Sequence, residues 1–195
     1  STGEVRYICG ISRDITARRQ AEIALQHSNR ALQDQLDETQ RLHELLQEEA
    51  IRDPLTNLFN RRYFMESLAR ELYRAEREDF PVTLMMVDID HFKPLNDTHG
   101  HTLGDRVLQM FSSQLISDMR AEDVICRWGG EEFLVMMPGL PATAALQRVE
   151  AWQARRRPMT ITVNDQPQEV RFSAGLATAP DHGNYADELI NAADS

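Results

Sequence analysis

The sequence predicts an α+β domain preceded by a long coiled-coil helix, and three observations lead to this prediction. Residues 17–50 contain neither proline nor glycine and are rich in Gln, Glu, Leu and Arg, which is typical of a continuous helix. From Ile51 onward, short apolar runs alternate with amphipathic stretches of helical period. Two pairs of strand-like runs flank turn dipeptides, Gly-Gly at 129–130 and Asn-Asp at 164–165, and each pair predicts a β-hairpin.

The elements of the predicted domain follow in order along the chain. Helices are predicted over 60–78, 106–119, 141–156 and 185–194. Strands are predicted over 82–90, 123–128, 131–137, 159–163 and 169–178. The first of these strands is apolar almost throughout, which predicts a central strand buried on both faces. Residues 91–105, rich in Asn, Asp, Gly and His, are predicted to form a loop.

Composition and charge restrict the classes of function. The 195 residues leave room for one domain and an appendage, and 42% hydrophobic with 27% charged residues is typical of a soluble globular protein. The net charge of −10 comes with no basic block, so nucleic acid is not expected as a partner. No apolar run reaches the length of a membrane span. Cys9 and Cys126 are too far apart to indicate a disulfide framework or zinc site, which favours a cytoplasmic setting, although unseen segments could tether a full-length protein.

The helix over 17–50 carries a heptad pattern. Its d positions are Leu25, Leu32, Thr39 and Leu46, and its a positions are Asn29, Leu36, His43 and Ala50. A repeat of 3.5 residues indicates a two-stranded coiled coil, and Asn29 at an a position favours a parallel homodimer in one register. The alternative is a single amphipathic helix packed on its own domain. Before this helix, the alternation from Val5 to Ile11 predicts a strand.

Four carboxylates are the best candidates for chemistry. Asp88 and Asp90 end the predicted buried strand, where acids are costly unless they bind something. Glu131 and Glu132 directly follow the Gly-Gly turn, and antiparallel pairing can bring both groups together. Such oxygen ligands suit Mg²⁺, and two ions would serve phosphoryl or nucleotidyl transfer. The alternative is a capped strand end beside a solvated turn.

The segment between the strand and the next helix offers groups that could read a base. Asn96 and Asp105 have the acceptors and donors that the Watson–Crick edge of guanine requires, and helix capping and turn chemistry explain the same residues equally well. Gly129 and Gly130 either simply make the turn or also let a nucleotide approach the bare backbone.

Three blocks of sequence together resemble one family. "RDPLTNLFNRR", "VDIDHFKPLNDTHGHTLGD" and "RWGGEEF" are similar in order and spacing to the signature of the GGDEF domain, whose members are diguanylate cyclases that make cyclic di-GMP from two GTP. The resemblance covers roughly Ile51 to Ser195. It implies a fold like that of nucleotidyl cyclases and polymerase palms, with a central, mainly antiparallel five-stranded sheet flanked by helices.

The resemblance also implies roles for matching residues. Asp88 and Glu131 would bind Mg²⁺ through their side chains and Ile89 through its carbonyl, with two ions per half-site and Mn²⁺ as an alternative metal. Glu132 would shape the site or help to activate the attacking 3′-hydroxyl. Lys93 would contact the triphosphate.

Further roles concern the substrate. Backbone amides near Phe92 would also meet the triphosphate, and Asn96 and Asp105 would read guanine. Two positions depart from the family pattern. Asn57 replaces the usual Gly, and Asn tolerates left-handed backbone; Pro94 is acceptable if its missing N–H is not needed.

The product implied by the resemblance is two-fold symmetric, so two GTP molecules must face each other, each 3′-oxygen aimed at the other's α-phosphate. One site of this kind holds one GTP, and activity therefore needs a dimer, which the helix over 17–50 would supply. The family resemblance also assigns an inhibitory product site to the RxxD motif Arg120 to Asp123. The alternative for that motif is an exposed salt bridge.

The N-terminal residues resemble the last strand of a PAS sensor domain with its "DIT" exit at 14–16. The domains expected are therefore a PAS remnant over 1–16, a signalling helix over 17–50, and a GGDEF domain over 51–195. Family members continue beyond 192–194 into a helix with a phosphate-binding Lys, so we expect the C-terminal end of the domain to be missing here.

The leading hypothesis is an Mg²⁺-dependent diguanylate cyclase, active as a dimer and inhibited by its product. One alternative is a non-catalytic domain that binds cyclic di-GMP or GTP and regulates another domain of a longer chain, such as a phosphodiesterase. Another is a coiled-coil scaffold without ligand, which leaves the carboxylates unexplained.

Overall fold

The fold is given by a computed structural model that describes residues 3–156, 159–163 and 166–195. The chain divides into two compact units, with the boundary between Ala50 and Ile51. No helix of the described part of the chain is long and apolar enough to cross a membrane.

The described part of the first unit is helical throughout, and its helix, α1 (Gly3–Ile51), ends at the first residue of the second unit. It confirms the helix predicted over 17–50 and shows that the strand predicted from Val5 to Ile11 is wrong. A strand here would need a partner for its backbone N–H and C=O groups, whereas a helix pairs them within the segment.

The apolar residues of the predicted coiled-coil seam are accessible. Leu25, Leu32 and Leu36 are 61%, 55% and 63% exposed. The seam positions His43 and Leu46 lie outside the side chains that the structure describes, and the coiled coil stays a prediction.

The second unit contains the remaining elements. Its helices are α2 (Arg61–Glu78), α3 (Phe92–His99), α4 (His101–Asp118), α5 (Ala142–Arg156) and α6 (Ala186–Ala193). Its strands are β1 (Phe59–Asn60), β2 (Val82–Ile89), β3 (Val124–Gly129), β4 (Glu132–Pro138), β5 (Met159–Val163), β6 (Gln166–Val170) and β7 (Phe172–Ala179).

Within the described residues, a five-stranded sheet has the order β1-β3-β4-β2-β7. Strand β1 runs parallel to β3, and the other neighbours are antiparallel. This confirms the mainly antiparallel five-stranded sheet. Strands β5 and β6 form a separate antiparallel pair, and the Asn-Asp turn predicted between them lies outside the described residues.

Two hydrophobic clusters fix the helices on the two sides of the sheet. One contains Phe111 of α4 and Trp152 of α5, which pack against Phe133 and Phe172. The other includes Phe64, Leu68, Leu84, Leu134 and Leu189, from α2, α6 and the strands between them. Strand β2 contributes alternate residues to both clusters, which explains its continuous apolar sequence.

Two of the predicted elements differ from the structure. The loop predicted over 91–105 is helical, because Phe92 and Leu103 are buried against the core and only Gly100, at φ 83°, separates α3 from α4. The strand predicted over 169–178 is two strands, β6 and β7, which separate at Arg171.

Two departures from the family pattern fit their backbone positions. Asn57 has φ 59°, a left-handed conformation that Asn tolerates better than most residues. Pro94 is the third residue of α3, where a backbone N–H has no acceptor within the helix.

Candidate active site

The structure brings the predicted carboxylates to one edge of the sheet. Asp88, near the end of β2, lies directly across from Glu132 of β4. The Ile89 amide donates to the Glu131 carbonyl oxygen at 3.4 Å, which holds the hairpin against the strand end. Asp90 accepts a hydrogen bond from the Ser173 hydroxyl at 2.8 Å.

The carboxylates repel one another. Partial burial raises the pKa of Asp88, and the charges of Glu131 and Asp90 raise it further. Burial also raises the pKa of Glu132, and the charges of Asp88, Asp194 and Glu131 raise it further. The acidic cluster, by which we mean Asp88, Glu131 and Glu132, therefore concentrates negative charge that a cation would relieve.

Asp194 is a neighbour of this cluster that sequence reasoning missed. Its charge adds to the burial that raises the pKa of Asp88 and of Glu132. It caps the C-terminal end of α6, and that end lies tightly on β7, since a Cβ added to Gly175 would lie 2.0 Å from the Ala193 carbonyl oxygen. The glycine within the predicted strand was the available signal, because strand glycines often mark close backbone approach.

The donor chemistry of the cluster fits a hard divalent cation, which prefers carboxylate, carbonyl and phosphate oxygens. Among the described residues, however, no group of three or more His, Cys, Asp and Glu side chains could hold a metal ion as it stands. A cation here would need further oxygens from a phosphate or water, which is the usual state of Mg²⁺ in nucleotide sites.

The Gly-Gly turn leaves open space beside its backbone. The pairing register of β3 with β4 shifts between Arg127 and Gly129, and Gly130 has φ 54°. A Cβ added at Gly129 or Gly130 would meet nothing within 4 Å. Glycine adopts the left-handed conformation of Gly130 without strain, and both glycines give bare backbone next to Glu131.

Arg127 stabilises this turn by hydrogen bonds, a role that the sequence did not predict. Its Nε and Nη2 donate to the Gly130 carbonyl oxygen at 3.1 and 2.8 Å, and its Nη1 lies 3.3 Å from both carboxylate oxygens of Asp53. The Thr56 amide and hydroxyl also donate to Asp53, at 2.9 and 2.7 Å. Burial alone would raise the pKa of Asp53, but these hydrogen bonds and Arg127 lower it overall.

The two residues predicted to read guanine lie on neighbouring helices, Asn96 on α3 and Asp105 on α4. The Asn96 Oδ1 atom is buried without a hydrogen-bond partner. It packs on Gly104, where an added Cβ would lie 2.0 Å from it. A buried acceptor without a donor is costly, so this oxygen lacks one hydrogen bond in the folded domain. Asp105 is exposed.

The predicted triphosphate contacts lie at the start of α3. Lys93 is exposed, whereas the Phe92 side chain is 8% exposed and belongs to the core. The Phe92 side chain is thus largely committed to the core.

The two charged residues of the RxxD motif, Arg120 and Asp123, have different environments in the structure. The Asp123 side chain is 2% exposed, accepts from the Arg120 amide at 2.8 Å and forms a short ion pair with Arg148 of α5. The Arg120 side chain is 55% exposed and lies 3.8 Å from Glu122. The motif is therefore not a simple surface salt bridge between Arg120 and Asp123, and Arg148, which sequence reasoning missed, belongs to the same group.

A family model described as "Diguanylate cyclase, GGDEF domain" matches residues 50–195. Response regulator PleD of Caulobacter vibrioides is 34% identical over 183 residues, covering 93% of this chain and 39% of that protein. Diguanylate cyclase DgcP of Pseudomonas aeruginosa is 36% identical over 143 residues, covering 73% of this chain and 21% of that protein. The chain thus spans well under half the length of these relatives.

Solved structures agree with the sequence relatives. The coiled coil and GGDEF domain of DgcB from Caulobacter crescentus, in complex with c-di-GMP, matches with a TM-score of 0.73 at 29% identity, covering 84% of this chain and 88% of that one. Diguanylate cyclase SiaD of Pseudomonas aeruginosa, in complex with its activator SiaC, matches with a TM-score of 0.70 at 31% identity, covering 98% of this chain and 74% of that one. The chain belongs to the family of diguanylate cyclase GGDEF domains.

Proposed function

We propose that this chain is a diguanylate cyclase that condenses two GTP into cyclic di-GMP and two pyrophosphates. The observation that carries the proposal is the acidic cluster beside the open Gly-Gly turn, in a domain whose family motif is intact. In each half-reaction, a 3′-oxygen forms a bond to the α-phosphorus of the other GTP, the bond from that phosphorus to the pyrophosphate oxygen breaks, and the 3′-hydroxyl proton is lost to a base.

Asp88 and Glu131, with the Ile89 carbonyl, would hold divalent metal, two Mg²⁺ ions per half-site. When bound, the metal would neutralise charge on the phosphates and favour loss of the 3′-hydroxyl proton. Support comes from the mutual repulsion of these carboxylates, which a cation would reverse. Glu132, directly across from Asp88, would shape the site or accept the 3′-hydroxyl proton.

Substrate recognition would come from α3 and α4. The unpartnered Oδ1 of Asn96 and the exposed carboxylate of Asp105 would bind the hydrogen-bonding edge of guanine. Lys93 and the backbone near Phe92 would contact the triphosphate. A site built to hydrogen-bond guanine would reject adenine strongly, because its polar groups would be left unpaired.

A dimer would bring two such sites together. The product is symmetric, whereas one domain holds one GTP, so two copies must face each other. The exposed Leu25, Leu32 and Leu36 support a parallel coiled coil over 17–50, which would raise the effective concentration of the two domains.

Product inhibition at the RxxD motif is part of the same proposal. The exposed Arg120 side chain could donate to guanine or phosphate, and Arg148 has a buried Nη1 without a hydrogen-bond partner. The exposed Arg120 side chain is the group suited to an incoming anion or base, whereas Arg148 would hold Asp123 in place beneath it.

Purified protein incubated with GTP and Mg²⁺, followed by chromatography of the products, tests the proposal. Cyclic di-GMP is expected from the parent and from Glu66→Gln, an exposed acid of α2 outside the cluster, but not from Glu131→Gln. If Glu131→Gln makes product at the parent's rate, the assigned role of the cluster is wrong. If neither the parent nor the variants make product while the parent still binds cyclic di-GMP, the chain is a regulatory binding domain instead.

A further inference from the structure

An open cavity of about 520 Å³ lies at the opposite end of β2 from the acidic cluster. Helix α2, the turn into β2, the end of β7 and the start of α6 form its walls. Val82, the first residue of β2, pairs with Ala179 beside this cavity, whereas Asp88 lies near the far end of the strand. At about 3.3 Å per residue, the two places are roughly 20 Å apart. The cavity is therefore separate from the proposed nucleotide site.

The walls of this cavity are apolar and aromatic. Leu72 and Ala75 are buried at its base. Tyr73 and Tyr185 line it from α2 and from the residue before α6, and these two residues are 68% and 72% exposed. Two large aromatic side chains that remain exposed around one concave surface are typical of a binding site rather than of a core.

The charges in the cavity have one sign. Its lining includes Glu76 and Asp79 but no Lys, Arg or His. Among the residues that the structure describes, neither acid forms a salt bridge, whereas the nearby arginines, Arg74 and Arg77, are paired with other glutamates. A cation entering this space would find two free carboxylates, and an anion would be repelled.

Aromatic faces add to the preference for a cation. Phe80 also lines the cavity, but its ring already has the guanidinium of Arg74 at 5.1 Å from its centre, so Phe80 offers a ligand apolar contact only. The rings of Tyr73 and Tyr185 can bind a ligand cation as the Phe80 ring binds Arg74.

We propose that this cavity is a binding site for a small apolar molecule that carries an ammonium group. The apolar part would lie on Leu72, Ala75 and Phe80, and the ammonium would lie between Glu76 and Asp79. The volume is within the range of about 300–1,000 Å³ that is usual for small-molecule sites. This site does not depend on the proposed cyclase activity.

The test compares two probes of matched size on the full chain, without nucleotide. The probes are 4-phenylbutylamine and its neutral counterpart 4-phenyl-1-butanol, and binding is measured by saturation-transfer NMR and titration. The amine is expected to bind more tightly than the alcohol. The double variant Glu76→Gln/Asp79→Asn is expected to weaken the amine roughly three- to tenfold, as the loss of two partly solvated ion pairs implies, and to leave the alcohol unchanged.

The substitutions are chosen so that the variants still fold. Glu76 is exposed, and Asp79 has φ 56°, a conformation that Asn tolerates. The matched control is Glu66→Gln, an exposed acid of α2 that does not line the cavity. Filling the space with Ala69→Trp, at an exposed lining position, is expected to abolish binding of both probes.

Three results would overturn the proposal. The first is no binding of the amine at roughly 10 mM, a concentration at which even a weak fragment of this size should bind. The second is equal affinity for the amine and the alcohol. The third is a loss of amine binding in Glu66→Gln that equals the loss in the double variant. None of them bears on cyclic di-GMP synthesis, so failure of this proposal and failure of the proposed function are distinguishable.

Discussion

Replacing Asp53 by Asn should destabilise the Gly-Gly turn, because Arg127 connects Asp53 to the Gly130 carbonyl oxygen. Asp53 and Arg127 are only 19% and 18% exposed in their side chains. In Asp53→Asn the amide can still accept from Thr56, but Arg127 loses its carboxylate partner and keeps only Gly130. Hydrogen bonds to charged groups contribute about 1.5–3 kcal/mol, and partial solvent exposure reduces that value. We therefore expect a loss of about 1–2 kcal/mol in the free energy of unfolding.

The pH dependence of this loss has a definite sign. The folded-state pKa of Asp53 is lowered, so its ionised form stabilises the folded state above the unfolded pKa, which is about 3.9 for Asp. The stabilisation disappears as the pH falls through the lower folded-state pKa. The difference between parent and Asp53→Asn should thus be largest near neutral pH and shrink below about pH 4.

Urea denaturation of both proteins at several pH values measures this difference, with Asp181→Asn, an exposed acid, as the matched control. A loss at neutral pH that is no greater in Asp53→Asn than in the control would refute the role of the Asp53–Arg127 pair. A loss that is the same at low pH as at neutral pH would refute the electrostatic explanation.

The remaining predictions concern stability, the RxxD group and assembly. Gly175→Ala should cost about 1–3 kcal/mol in unfolding free energy by displacing the end of α6, and unchanged denaturation would contradict the close contact. Arg148→Ala should destabilise the domain by about 3 kcal/mol or more because it leaves the buried Asp123 carboxylate without its partner, whereas adding Asp123→Asn should recover part of that loss in the same denaturation assay. The double change Leu32→Lys/Leu36→Lys should make the chain monomeric in light scattering if the exposed seam mediates dimerisation, and an unchanged dimer would exclude it.

The parts of the fold that could be predicted from sequence are those set by local patterns. The apolar run of β2 and the Gly-Gly turn between β3 and β4 carry their signals within a few residues. Strand β1 has only two residues, which is too short for an alternating sequence pattern to be recognised. The helices of 91–105 were missed because turn-forming residues occupy their exposed faces, and tertiary burial of Phe92 and Leu103 overrides that local preference.

The candidate site divides in the same way. Asp88, Glu131 and Glu132 were predicted because each lies beside a strand end or turn, and their register brings two of them opposite each other. Asp194 and Arg148 were missed because their partners are far away in sequence. The same holds for the pair Asp53 and Arg127, which lie 74 residues apart. Only the assembled sheet and helices bring such groups together.

We propose above that the acidic clusters of two copies jointly make one cyclic product. The most direct measurement is cyclic di-GMP formation after parent protein and Glu131→Gln are unfolded, mixed in equal amounts and refolded together. Random pairing into dimers predicts a rate of about a quarter of that of the same total amount of parent, because only dimers with two intact clusters close the ring. A rate of about half, as expected from simple dilution of independent sites, would contradict the account.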